Sequence, residues 1–181
     1  LPGDLAMWFF ILAELTVFAI LFIGFAVAEQ LNIDMFNEGK AQLHQISGLI
    51  NTLTLITSSF FVVKGIFAIR ENRPEAAVRW LWMTVAAGGV YLIIKYWEYQ
   101  WNLDRGIRVS TNNFFAVYYY TTFNHMLHVG WGSGGIIWAI SQIKSGRYTA
   151  DNHAGLIAAA CYWHMIDLAW IMIFPLLYVL R

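Results

Sequence analysis

The chain is poor in cysteine and in charge. Cys161 stands alone among 181 residues, so no intramolecular disulfide can form and zinc sites built on paired thiolates are excluded. Charged side chains occupy 12% of positions, where a soluble domain of this length carries roughly a quarter. The 11 basic residues balance 11 acidic ones. Nucleic-acid binding, which needs a concentrated basic patch to neutralise phosphates, is therefore set aside.

What fills the chain is apolar: 59% of residues are hydrophobic, and the few charges gather in the gaps between apolar runs. A helix needs roughly 20 largely apolar residues to cross a hydrocarbon core, because lipid offers the backbone no hydrogen-bond partner. Five stretches qualify, from Leu5 to Ala28, Gln45 to Ile69, Ala77 to Gln100, Phe114 to Gln142 and His153 to Leu180. The connections "EQLNIDMFNEGKAQLH", "RENRPEA", "WNLDRGIRVSTNN" and "IKSGRYTAD" are polar and broken by Gly or Pro, so they read as loops that set neighbouring helices antiparallel. No repeat or second domain interrupts the pattern. The expectation is an all-α integral membrane protein, one domain over residues 1–181, built as a five-helix bundle. Leu1 is not a methionine, so the numbering is expected to start inside a longer product.

Lysine and arginine set the expected orientation. Arg70, Arg73, Arg79, Lys144 and Arg147 fall in or beside the second and fourth loops, against Lys40, Arg105 and Arg108 in the first and third. This bias places the N-terminus inside and Arg181 outside. Trp80, Trp82, Trp97 and Trp101 flank the third span, where amphipathic rings prefer the interface.

The spans are not uniformly apolar. Glu14 interrupts "MWFFILAELTVFAILFIGFAVA". Asn51, Thr52, Thr54, Thr57, Ser58 and Ser59 lie on the second span and Lys95 and Glu98 on the third. Asn124, His125 and His128 lie on the fourth, and His164 and Asp167 on the fifth. An acidic side chain at mid-membrane costs roughly 2.5–3.5 kcal/mol on insertion scales, so such residues face the bundle or a wet cavity. His125 with His128, and His164 with Asp167, are three apart and share a helix face. Lys95 and Glu98 have the same spacing but sit near a helix end, from where they could snorkel to water. Gly130 and Gly134, in small-xxx-small spacing, read as a site of close helix packing.

Three functional readings compete with a purely structural one, in which each polar group only hydrogen-bonds across helices for about 0.6 kcal/mol. A metal-bearing enzyme could draw on His125, His128, His164, Glu98 and Asp167. However, there is no HExxH, and the paired Glu-x-x-His pattern of di-iron bundles is missing. A haem-copper catalytic subunit would need more intramembrane imidazoles than His125, His128 and His164 provide. A proton-coupled carrier would titrate Glu14, but no inverted repeat or pair of broken helices accompanies it. The third reading is an accessory subunit docked on a larger membrane enzyme.

Several motifs favour the third. "MWFFILAELTVFAILF" resembles the W-x-F-(I/L)-x-S-E-x-x-x-F helix of haem-copper oxidase subunit III, with Glu14 on the family's intramembrane carboxylate. "NTLTLITSS" is similar to N-T-x-x-L-L-x-S-S. "YLIIKYWEY" places Glu98 on the acid that ends the following helix, and "HMLHV" sets His125 and His128 on H-G-L-H-V. "AAACYWHMIDLAW" is similar to A-A-x-x-Y-W-H-F-V-D-x-x-W, aligning Tyr162, Trp163, His164, Asp167 and Trp170. The motifs occur in family order over nearly the whole chain. The shortened form looks most like the five-helix NorE branch associated with bacterial nitric oxide reductase; quinol oxidases also carry five-helix versions.

The resemblance implies a multi-pass subunit of a bacterial cytoplasmic membrane, part of respiratory electron transport. It implies no catalytic residue, cofactor or metal ligand in this chain. Haem and metal would lie in the partner, the catalytic subunit of a haem-copper oxidase or nitric oxide reductase, and phospholipid is a further candidate ligand. The expected mechanism is structural, with proton uptake or lipid ordering as further roles. Desolvation favours a neutral Glu14, hydrogen-bonded to a neighbouring helix, with Asn51, Glu98, His125 and His128 as candidate partners. His164 and Asp167 are expected to form a helix-fixing pair beside Tyr162 and Trp163. The chain departs from the family at Ile157, where many members carry a second buried acid, and in having no counterpart of the first two helices of the longer subunits. Lipid binding that depends on either is not carried over. A stand-alone membrane metalloenzyme or proton-coupled carrier using the same residues remains the alternative.

Overall fold

The computed structural model describes residues 5–180; the Leu1–Asp4 segment and Arg181, on which part of the orientation argument rests, lie outside the described residues. The described chain is all helical. Its elements are α1 (Leu5–Leu31), α2 (Ile33–Gln42), α3 (Gln45–Arg70), α4 (Pro74–Asp104), α5 (Asn113–Lys144), α6 (Ala154–Phe174) and a closing π-turn, Pro175–Val179. Four stretches are long and apolar enough to cross a membrane: Leu5–Leu31, Gln45–Arg70, Pro74–Asp104 and Ala154–Val179. α5 has 32 residues, about 48 Å at 1.5 Å per residue. Its length suffices, but its polar residues dilute its hydropathy.

The helix ends follow local chemistry. His44 Nδ1 accepts from Ser47 N at 3.1 Å to cap α3, and Asn112 Oδ1 accepts from Phe115 N at 3.0 Å to cap α5. Pro74 opens α4, where its missing N–H costs nothing. Asn72, Gly106 and Gly146 adopt positive φ just past α3, α4 and α5, the left-handed stop that satisfies the last carbonyls and reverses the chain.

The first loop departs from expectation. Instead of an irregular connection it holds α2, which lies across one end of the bundle. Phe36 is fully buried between Phe25 and Phe114, with ring centroids 5.4 and 5.3 Å away. A Cβ on Gly39 would stand 2.1 Å from the Phe114 ring, so only glycine lets α2 settle there.

α3, α4, α5 and α6 form the packed centre, and α1 rests on α5 and α6. α1 buries only Ile11, Phe18 and Phe25, seven residues apart and therefore a single narrow seam. The small-residue expectation for α5 is corrected. A side chain at Gly130, Gly134 or Gly135 would meet nothing within 4 Å, whereas a Cβ on Gly132 would lie 2.7 Å from Ile166 and 3.1 Å from Trp163. Gly132 is the residue at the α5–α6 crossing.

Candidate functional site

The "NTLTLITSS" stretch of α3 acts as a ladder of hydroxyls facing α6. Trp170 Nε1 donates to Thr52 Oγ1 at 2.9 Å, Trp163 Nε1 donates to Ser58 Oγ at 2.8 Å, and Ser59 Oγ donates to Asp167 Oδ2 at 2.6 Å. Each indole N–H, otherwise orphaned in an apolar core, is thereby satisfied. Asn51, in the same stretch, is fully buried and its side-chain amide has no hydrogen-bond partner among the described residues.

The middle of the bundle holds two histidines with different surroundings. His125 is fully buried. Its Nε2 donates to the Ile166 carbonyl at 2.8 Å and its Nδ1 accepts from Tyr91 Oη at 2.8 Å. A carbonyl can only accept, so the ring is the Nε2–H tautomer, and it links α4, α5 and α6. His128 sits one turn on, half-buried, with its ring stacked on Tyr162 at 6.4 Å and tilted against Phe18 at 5.1 Å. His128 Nδ1 donates to Asn124 O at 2.7 Å, and His128 Nε2 shares a hydrogen bond with Glu14 Oε2.

That arrangement limits the proton count. With Nδ1–H committed to a carbonyl, the contact between Nε2 and Oε2 requires one proton between them, either on the carboxyl or on the imidazole. Both forms carry zero net charge. Of the four candidate partners for Glu14, His128 makes the bond; Asn51, His125 and Glu98 make none to it.

Glu98 heads a separate cluster near one end of the bundle. Its Oε1 accepts from the hydroxyls of Tyr118, at 2.7 Å, and Tyr178. Its Oε2 accepts from Ser47 Oγ at 3.1 Å and Lys95 Nζ at 3.2 Å. Lys95 Nζ also donates to Tyr178 Oη and lies 4.9 Å from the Trp170 ring centroid and 5.3 Å from that of Tyr118. Both charges are completely enclosed. The expectation that they snorkel to water is overturned: the tyrosines and the serine reach them from three other elements, and the aromatic walls shut water out. A second enclosed lysine, Lys40 of α2, pairs with Glu29 and donates to Leu180 O at 2.6 Å, tying α2 to the last turn of α1 and to the last described residue.

Asp167 takes its hydrogen bond from Ser59 of α3 and makes none to His164; its Oδ1 is buried and unpartnered. Tyr162 stacks on Phe10 of α1 with centroids 5.7 Å apart.

Sequence reasoning overlooked Tyr91, Tyr118, Tyr178 and Ser47, and read Glu29 and Lys40 only as loop charges. One signal was available: Tyr118, Thr122, His125 and Gly132 recur at helical spacing and mark the inward face of α5.

Long apolar helices that turn their polar side chains inward and bind them to one another define a polytopic α-helical membrane protein. The chain belongs to the cytochrome c oxidase subunit III family, whose model matches residues 4–180. It is 34% identical to cytochrome c oxidase subunit 3 of Thermostichus vulcanus over 179 residues, covering 97% of this chain and 86% of that protein. It is 33% identical to the subunit of the same name in Synechocystis, covering 94% and 72%. It is 25% identical to a probable quinol oxidase subunit 3 of Staphylococcus saprophyticus, covering 98% and 89%.

Proposed function

We propose that this chain is a non-catalytic accessory subunit of a respiratory haem-copper oxidase in a bacterial cytoplasmic membrane. In this reading it crosses five times, with α5 spanning as well as the four more apolar helices, the N-terminus inside and the C-terminus outside, and it packs against the haem-bearing catalytic subunit and stabilises it. Family membership across residues 4–180 carries the reading. The chemistry of the bundle fits a structural role, since its polar groups are mostly consumed in joining helices. The names of the relatives, cytochrome c oxidase and quinol oxidase, favour an oxidase over a nitric oxide reductase as the partner.

Two subsidiary roles fit the geometry. An apolar groove of about 840 Å³ between α1 and α5, lined by Ile20, Leu21, Gly24, Val117, Tyr120 and Phe123, suits an acyl chain of a membrane phospholipid. The Glu14–His128 pair, with one shared proton and partial exposure, is the group through which the subunit would influence proton uptake by its partner.

The test is purification in mild detergent with mass spectrometry, haem spectra and metal analysis. The expected result is co-purification with a haem-bearing subunit and no metal bound to this chain. Stoichiometric iron or copper on the isolated chain would instead establish the stand-alone metalloenzyme. Turnover of the purified complex with oxygen or with nitric oxide separates the two partner types.

A further inference from the structure

α6 has one strip that the described residues leave partly or largely open. α1 meets α6 on one side, through Phe10 against Tyr162, and α3 meets it on the other, through Thr52, Ser58 and Ser59. α1 and α3 do not pack on each other. Between these two contact faces run Ile157, Cys161, His164, Leu168 and Met172, spaced four, three, four and four apart and so aligned on a single face. The first three are half-buried; Leu168 is 53% and Met172 49% exposed.

An apolar strip alone would suit lipid. This one has polar groups near the midpoint of Ala154–Val179. The His164 ring makes no hydrogen bond to any described residue. Beside it Asp167, 8% exposed, receives one hydrogen bond, from Ser59, and its other carboxylate oxygen has no donor. Elsewhere the bundle satisfies most of its buried polar groups, as Glu98 with four donors illustrates. Acyl chains carry no donor to offer here, and ionisable groups at mid-depth face protein or water rather than hydrocarbon.

We propose that this strip of α6, between α1 and α3, is the face on which the catalytic subunit docks. The occupant is a transmembrane helix with an apolar flank and one side-chain hydrogen-bonding group at the depth of His164, the polar side chain that the strip leaves open. This rests on the accessory-subunit reading and adds to it the docking face and the chemistry of the contact.

The test is photocrosslinking in native membranes, with a benzophenone amino acid placed singly at Leu168, at Met172, and at two outward residues elsewhere. Trp131 of α5 (74% exposed) and Tyr96 of α4 (63% exposed) serve as those controls. The expected outcome is a crosslink to the haem-bearing subunit from Leu168 and Met172 and from neither control. Crosslinks to that subunit from Trp131 or Tyr96 alone overturn the docking face while leaving the accessory role intact. Crosslinks from Leu168 only to lipid or to a second copy overturn it as well. Absence of a haem-bearing subunit from every adduct and from the purified material overturns the accessory reading itself. In a second arm, His164→Leu is expected to keep the isolated subunit's melting temperature and to lower the haem subunit retained by about tenfold. Undiminished retention overturns the hydrogen-bonding part of the contact.

Discussion

Glu14 and Glu98 are both intramembrane carboxylates, and their neighbours give them different properties. Glu98 is saturated by four donors, Lys95 among them; Glu14 has one partner, His128, and remains partly exposed. The infrared difference spectrum between wild type and Glu14→Gln is expected to lose a protonated carboxyl band. Loss of an ionised carboxylate band instead would place the shared proton on His128. Removing one member of the enclosed pair is a harsher change. Lys95→Met strands the Glu98 charge and is expected to cost about 3–5 kcal/mol, with the double variant Lys95→Met/Glu98→Gln recovering most of it. Thermal melting of the three variants in detergent checks this. Equal losses in the single and double variants would mean that packing, not charge, dominates the site.

Helices depend on faces, and a face cannot be read from spacing alone. Gly132→Leu forces a side chain into Ile166 and Trp163 and is expected to destabilise by about 1–3 kcal/mol. Gly130→Leu, which meets open space, is expected to stay within about 0.5 kcal/mol; denaturation midpoints distinguish them. The number and approximate extent of the long helices were legible because apolar runs of more than twenty residues have few alternatives. Which glycine touches α6 was not, because Gly130, Gly132 and Gly134 differ only in the rotation of α5 about its axis, and that is set by Trp163 and Ile166. α2 escaped notice because its ten residues are polar on average and its apolar anchor, Phe36, is fixed by rings of α1 and α5. The site was legible in part. Glu14, His125 and Glu98 stood out as polar groups in apolar runs, but their pairing depends on contacts more than a hundred residues apart in one case, Glu14 with His128. The family motifs named the residues without saying which would meet.

At the scale of the molecule, stability is unevenly distributed. α3 to α6 share hydroxyl, indole and carboxylate contacts in several layers, whereas α1 holds on by the seam of Ile11, Phe18 and Phe25, the Phe10–Tyr162 stack, and Glu14 and Glu29. Hydrogen–deuterium exchange of the detergent-solubilised subunit is expected to reach α1 amides well before those of α3 and α4, because weakly anchored elements open at lower free energy. Uniform protection would show that α1 opens only with the whole bundle.

The Glu98 cluster also has a consequence in time. Lys95 and Glu98 are synthesised about eighty residues ahead of Tyr178, which closes over them. During translation the pair therefore enters the membrane on α4 with its cover still inside the ribosome. A chain that stops before Tyr178 leaves Glu98 Oε1 without one of its hydroxyl donors and Lys95 without its phenol acceptor, so the pair is complete only once the Pro175–Val179 turn has docked.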